Sequence, residues 1–251
     1  MVDEFHKQFN HPRHAVPTPE LLKLRASLIH EEAVNEGISA AMRGDIEQTL
    51  DALADFLYVG VGSMAAIEHG VIAGMTVYSK EQSIGRFIET FFVPGNSALD
   101  DLAIPFNEAG EAALMLDELA NRLANKKMKK RELVNDLRRA MNKIYVACMM
   151  AYRTCDLLKV DVLKLVGEIH RSNMTKLWPA NDEERIKAVS ESKYDASDIC
   201  FRIAKGGDVV IGYRISDGKI LKSPYYSKPD LAQFVESAKS SAMYENIKNQ
   251  L

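Results

Sequence analysis

The sequence predicts a mainly α protein: a helical bundle followed by a small C-terminal α+β appendage. Three observations carry this expectation. Apolar residues recur at three- and four-residue intervals through the first half and on to about His170, the spacing of amphipathic helices. Cap-like residues stand where such runs begin, as at Asp45 with Gln48 three positions on, a capping-box pattern. After Trp178 the texture changes: "ICFRIAKGGDVVIGYRI" (199–215) sets two β-prone runs around Lys-Gly-Gly-Asp, a hairpin signal. The 251 residues, 47% hydrophobic and 27% charged with net charge -3, are ordinary for a soluble globular protein. Such a charge argues for neither nucleic acid nor an anionic membrane as partner. No apolar run reaches spanning length.

The elements follow in order. Pro17 and Pro19 punctuate an extended lead-in. A helix is expected from about Glu20 to Arg43, carrying Leu21, Leu22, Leu24, Leu28, Ile29 and Ala33 on its apolar stripe, and Gly44 ends it. Asp45 opens a second helix bearing Leu50, Leu53, Ala54, Leu57, Tyr58 and Val59 and stopping near Gly70. Ser79 with Gln82 opens a third, and Val93-Pro94-Gly95-Asn96 is a break. Pro105 suits the first turn of a long helix ending near Asn125. "KKMKKR" (126–131) reads as a solvated loop. Helices are then expected from Arg131 to about Leu158, from Val160 to His170, and after Pro229. A bundle over 1–178 and an extension over 179–251 are the expected domains. "ADFLYVGVGSMAAIEHGV" (54–71) echoes "MNKIYVACMMAYRTCDLL" (141–158), which a duplicated hairpin over 20–75 and 100–160 would explain.

The chemistry gathers at carboxylates. "LIHEEAVNEG" (28–37) crowds Glu31, Glu32 and Glu36 onto one helix, and "DALAD" brings Asp51 and Asp55 on the next. On an α-helix residues 32 and 36 share a face, as do 51 and 55. A turn at Gly44-Asp45 folds the two helices antiparallel, so the carboxylates can converge on a semi-buried seam. Like charges there repel and need compensation, which a hard divalent cation supplies through oxygen ligands. An acidic face with Arg25 and Arg43 as counterions is the alternative that spacing leaves open. "HRSNMTK" (170–176) offers Ser172, Asn173 and Lys176 as phosphate donors after a helix, or an ordinary helix end. "DGKILKSPYYSKPDL" (217–231) interleaves Asp217, Lys219, Lys222 and Tyr225, either a base-and-phosphate grip or a solvated turn. His6, His11 and His14 read as surface residues. The three cysteines lack metal spacing, and their odd number fits a reducing compartment. The chain lacks a Walker loop, a Rossmann glycine pattern and a nucleophile elbow.

"FHKQF…LRASLIHEEAVNE…LDALADFLYVGVG" resembles the all-α nucleoside triphosphate pyrophosphohydrolases, the superfamily of MazG, phosphoribosyl-ATP pyrophosphohydrolase and the dimeric dUTPases. "VGEIHRSNMTKL" and "DGKILKSPYYSKPDL" resemble its phage-type branch, which includes MazZ-type enzymes. The resemblance implies a bundle that binds Mg²⁺, with Mn²⁺ as substitute, and water attack on the α-phosphate to release the monophosphate and diphosphate. It implies Glu31, Glu32 and Asp55 as catalytic residues. Glu32, Asn35, Glu36, Asp51 and Asp55 are the implied metal ligands, with Asn35 standing where the family has a glutamate. Ser172, Asn173 and Lys176 fall on the family's phosphate-contacting segment, and Asp217, Lys219, Lys222 and Tyr225 are expected to complete the substrate site. The second half keeps Glu108 and Glu111 but has Asn142 where Asp55 would align, so a second site is expected to be degenerate. The expected substrate is a purine deoxynucleotide such as dGTP or GTP; dUTPase-like, dCTPase-like or house-cleaning activity, or a non-enzymatic helical module, are the alternatives. A homodimer or homotetramer in the cytoplasm, the host's if phage-encoded, completes the expectation.

Overall fold

The computed structural model describes residues 1–67, 95, 97–126, 128–204, 209–216 and 218–251. The helix expected from Ser79, most of the break at 93–96, the turn at 205–208 and Asp217 lie outside them. The elements are α1 (Val2–Gln8), α2 (Pro19–His30), a π-helical segment (Glu31–Ile38), α3 (Ser39–Met42), α4 (Ile46–Ala66), α5 (Ala98–Ala124), α6 (Lys130–Leu157), α7 (Val162–Met174), β1 (Trp178–Pro179), α8 (Asp182–Glu191), β2 (Ile199–Ile203), β3 (Val209–Arg214), α9 (Ala232–Lys239) and α10 (Ala242–Lys248). The protein is thus mainly helical with a small three-stranded antiparallel sheet. No described helix is long and apolar enough to cross a membrane.

Two compact units are distinguished, Arg13–Val166 with Leu231–Leu251, and Met1–Pro12 with Gly167–Asp230. The stretch 179–251 is therefore shared between the two. Each unit is described by itself.

The larger unit is built from two helical hairpins. Thr18 Oγ1 accepts the Leu21 N–H at 3.2 Å and Pro19 occupies the first turn of α2, where a missing N–H costs nothing. Gly44, at φ 63°, closes the first hairpin, and Asp45 Oδ1 accepts the Gln48 N–H at 3.1 Å to start α4. Helix α5 starts seven residues before Pro105, because Ser97 Oγ accepts the Asp100 N–H at 3.0 Å. Pro105 is buried inside the helix rather than in its first turn, which corrects the sequence expectation. Leu22, Ile29, Leu50, Leu53, Phe56, Leu102, Phe106, Leu116, Leu137 and Ile144 are fully buried. Helix α2 packs on α5, α4 on α6, and the π-helical segment on both α4 and α5. Gly37 lies against the Phe106 ring, and a Cβ at Gly110 would come within 2.9 Å of Val34. Each helix thus offers a glycine to the other's large side chain, which sets the close approach there. Helix α9 packs on α4 and α10 on α5.

The smaller unit folds around Trp178. Strand order is β1-β3-β2, with Trp178 opposite Val210 and Ile203 opposite Val210 on the other side. Trp178, Ala188, Val210 and Leu221 form the core. The indole Nε1–H donates to the Leu221 carbonyl at 3.1 Å, which satisfies the one polar atom of the ring. Gly212 leaves room for that indole: a Cβ would lie 2.5 Å from Nε1. His6, expected at the surface, is buried, with its Nδ1 2.9 Å from the Pro12 carbonyl. Helix α1 stacks Phe5 on Phe9 and His11, and this aromatic packing is what covers His6.

Candidate active site

The acidic run is not α-helical. Residues 31–38 form a π-helical segment inside an otherwise α-helical rod, where the hydrogen bond spans five residues instead of four. The wider turn shifts every side chain beyond Glu31 around the axis relative to an α-helix. The face shared by residues 32 and 36 in the sequence reading is therefore redrawn. π-Helical turns recur at functional sites, and this one holds four of the expected site residues: Glu31, Glu32, Asn35 and Glu36.

Glu31 and Glu32 are half-buried, whereas Asn35 and Glu36 are exposed. On α4, Asp51 and Asp55 are half-buried, flanked by buried Ala52, Leu53, Ala54 and Phe56. The π-helical segment packs on α4. A cleft of about 590 Å³ lies where α2 and the π-helical segment meet α5; its lining takes Glu31, Asn35 and Glu36 together with Lys23, His30 and Asp117. Glu32 is not part of that lining, so the acidic run splits between cleft and seam. Carboxylate and amide oxygens are the donors a hard divalent cation takes, so the set fits Mg²⁺ in kind. Among the described residues, no three His, Cys, Asp or Glu side chains are gathered closely enough to hold an ion.

Arg25 is not the surface counterion that the spacing left open. It is 2% exposed; its Nε–H donates to Ser63 Oγ at 3.0 Å and its Nη2 to the Val59 carbonyl at 2.7 Å. Burial pulls the guanidinium down to about 10, so it stays cationic at neutral pH. Val59 lies one turn beyond Asp55, and the clamp fixes α2 against α4 beside the acidic seam. Arg43 instead hydrogen-bonds Ser39.

The second acidic pair is occupied differently. Lys143 Nζ lies 2.5 Å from Glu108 and 2.6 Å from Glu111. Burial alone would lower the ammonium's pKa, but the hydrogen bonds to both glutamates outweigh it and raise it. An ammonium thus bridges the carboxylates of the echoing hairpin. Asp136 of α6 pairs with Arg122 at 2.8 Å.

In the smaller unit, "SNMTK" and "KSPYYSKPD" bond each other. Helix α7 runs on to Met174, so Ser172 and Asn173 sit in its last turn, both buried, rather than after a helix as expected. Ser172 Oγ donates to Tyr226 Oη at 2.9 Å, and Thr175 Oγ1 accepts the Ser227 N–H at 2.9 Å. Arg171 reaches the Lys228 carbonyl at 2.8 Å and Glu168 at 2.7 Å. Lys222 Nζ stands 4.4 Å from the Tyr226 ring centroid. Lys176 is half-buried; Lys219, Lys222 and Tyr225 are exposed. Asp217 lies outside the described residues. The sequence reading missed Lys23, His30 and Asp117 as cleft residues; their signal was only helical spacing, which says nothing of which helices meet. Cys148 and Cys155 are held near 12 by burial and are inert as nucleophiles.

Comparison with known proteins bears on the first hairpin. Residues 2–71 match the family model of phosphoribosyl-ATP pyrophosphohydrolase, a family that hydrolyses pyrophosphate bonds in nucleotides. The uncharacterized protein L479 of Acanthamoeba polyphaga mimivirus is 25% identical over 259 residues, covering 94% of each chain. No solved structure matches. The π-helical segment and the acidic half of α4 both fall inside the matched stretch, so residues 2–71 are where this chain is similar to phosphoribosyl-ATP pyrophosphohydrolase and, through it, to the MazG-like all-α nucleoside triphosphate pyrophosphohydrolases.

Proposed function

We propose that the chain is a Mg²⁺-dependent nucleoside triphosphate pyrophosphohydrolase, converting (d)NTP and water to (d)NMP and diphosphate. The observation that carries this reading is the packing of the π-helical segment, which holds Glu31 and Glu32, on α4, which holds the half-buried Asp51 and Asp55, within the stretch matching a pyrophosphohydrolase family. Carboxylates kept on an apolar seam are costly without a cation.

Glu32 and Asp55 are the proposed principal ligands, with Asp51, Asn35 and Glu36 in support; Mn²⁺ can substitute. When bound, the ion neutralises charge on the triphosphate and its leaving diphosphate. Glu31 is the proposed base. It accepts a proton from water, the water oxygen bonds to the α-phosphorus, and the bond from that phosphorus to the bridging oxygen of the β-phosphate breaks. Arg25 acts from behind by fixing the register of α2 on α4. The proposed substrate is a purine nucleoside triphosphate such as dGTP or GTP, supported by the resemblance of the SNMTK and DGKILK segments to the phage-type branch.

The rival reading is a non-enzymatic helical module, favoured by the lack of a ready three-carboxylate group among the described residues. A panel of nucleoside and deoxynucleoside triphosphates with Mg²⁺ or Mn²⁺ separates the two. Monophosphate plus diphosphate supports the proposal. Orthophosphate plus nucleoside diphosphate refutes the reaction class, and unconsumed triphosphates support the module.

A further inference from the structure

We propose that the second hairpin, α5 with α6, is a cation site already filled by the chain's own Lys143 ammonium, and that removing this ammonium opens it to a divalent metal. The inference concerns Glu108, Glu111 and Lys143 and does not rest on the reaction assigned to the first hairpin.

Contacts between the two hairpins are reciprocal. Gly37 of the first takes the Phe106 ring of the second, and Gly110 of the second takes Val34 of the first. Where α4 meets α6, a Cβ at Gly60 would lie 2.8 Å from Cys148 Sγ. The sequence echo sets Tyr58 on Tyr145, so Gly60 falls on Ala147 and meets the residue next to its own counterpart. Surfaces on which residues meet their own counterparts belong to two-fold relations, here between two parts of one chain. The carboxylates of α5 thus answer to the acidic run of the π-helical segment.

The two hairpins treat their carboxylates differently. The first faces its acidic run with further anions, Asp51 and Asp55 of α4. In the second, the echo puts Arg138 on Asp51, Asn142 on Asp55 and Lys143 on Phe56. The facing helix has lost both anions and gained cations at or beside the same positions. Glu108 and Glu111 share a face of α5, and Lys143 Nζ reaches both, at 2.5 and 2.6 Å. An ammonium is a compact charge that donates to several oxygens at once. A hard divalent cation takes oxygen ligands too, so the oxygens that hold Nζ can hold a metal in its place. The Glu111 side chain is 64% exposed, which leaves water free to complete the metal's shell.

The test counts Mn²⁺ bound to the full-length protein without nucleotide, from the electron paramagnetic resonance signal of the free ion. Lys143→Met is expected to take up about one more Mn²⁺ per chain than the wild type, with a dissociation constant on the order of 10⁻⁴–10⁻³ M. Lys143→Arg keeps the charge and is expected to match the wild type. Adding Glu108→Gln to Lys143→Met is expected to remove the gain. Lys143→Gln repeats the measurement with a polar side chain should Lys143→Met lose helicity. No gain in the folded variant, or a gain that survives Glu108→Gln, overturns the proposal. The readout is a difference between variants, so a first hairpin that hydrolyses no triphosphate leaves it standing. Hydrolysis by a protein whose Lys143→Met variant gains no ion does the reverse.

Discussion

Arg25→Met tests how the first hairpin is held. The guanidinium is 2% exposed, and burial pulls its pKa well below the usual arginine value, to about 10. At 1.36 kcal/mol per pKa unit, that desolvation costs roughly 3 kcal/mol at neutral pH. Its bonds to Ser63 Oγ and the Val59 carbonyl return about 1.5–3 kcal/mol each, as hydrogen bonds from a charged donor do. Together they return about 3–6 kcal/mol against roughly 3, so the net gain is small. Methionine keeps most of the length and removes the charge. Ser63 Oγ still donates to the Val59 carbonyl at 2.8 Å, so that oxygen is not stranded. Arg25→Met should therefore change stability by only about 1 kcal/mol. Arg25→Ala leaves a cavity between α2 and α4 and should cost about 2–4 kcal/mol. Urea unfolding followed by far-ultraviolet circular dichroism reads both, the midpoint giving stability and the slope checking that the native state is unchanged. A loss beyond about 3 kcal/mol in Arg25→Met, equal to that of Arg25→Ala, would refute the reasoning. It would mean the guanidinium is matched by a charge absent from this account.

Other outcomes follow from the same geometry. Lys143→Met leaves Glu108 and Glu111 facing each other one turn apart and should destabilise by about 1 kcal/mol at neutral pH. Because the Lys143 pKa is raised, the wild-type advantage should be full below 10.5 and fade as pH rises through the folded value; a pH series of unfolding midpoints checks it. Gly37→Ala drives a methyl into the Phe106 ring and should cost about 1–3 kcal/mol, read by thermal unfolding against Gly218→Ala as a strained but uncrowded control. Glu168, bound first by Arg171 and also by the Asp230 N–H, has its pKa lowered. Its contribution is present above about 4.5 and lost as pH falls through the folded value, so Glu168→Gln should flatten the acid limb of the stability profile.

What sequence could convey depended on how local the cause was. The Gly44-Asp45 turn was legible because a left-handed glycine and a cap act within four residues. The hairpin of β2 and β3 was legible from two runs flanking a turn. Pro105 misled because a cap at Ser97, eight residues earlier, decides where α5 begins. The π-helical segment was invisible, since nothing in a hydrophobic period of three to four marks the extra residue. Its neighbour Gly37 hints at it only once Phe106 is known to lie against it. Ser172 read as a phosphate donor, yet its partner Tyr226 stands some fifty residues ahead in the chain, a distance over which pattern carries no information. Arg25 read as a surface counterion because an arginine's burial is set by what packs on it. The acidic residues themselves were legible, but their division between seam and cleft depends on tertiary packing and the π turn.

The central claim is that the Glu32 and Asp55 carboxylates serve a cation-dependent hydrolysis. The most direct measurement is diphosphate release from dGTP, with and without Mg²⁺, by the wild-type protein, Glu32→Gln and Asp55→Asn. The account predicts Mg²⁺-dependent release by the wild type and a loss of about 10²-fold or more in each variant, with helicity unchanged. Release that continues undiminished in both variants would contradict it.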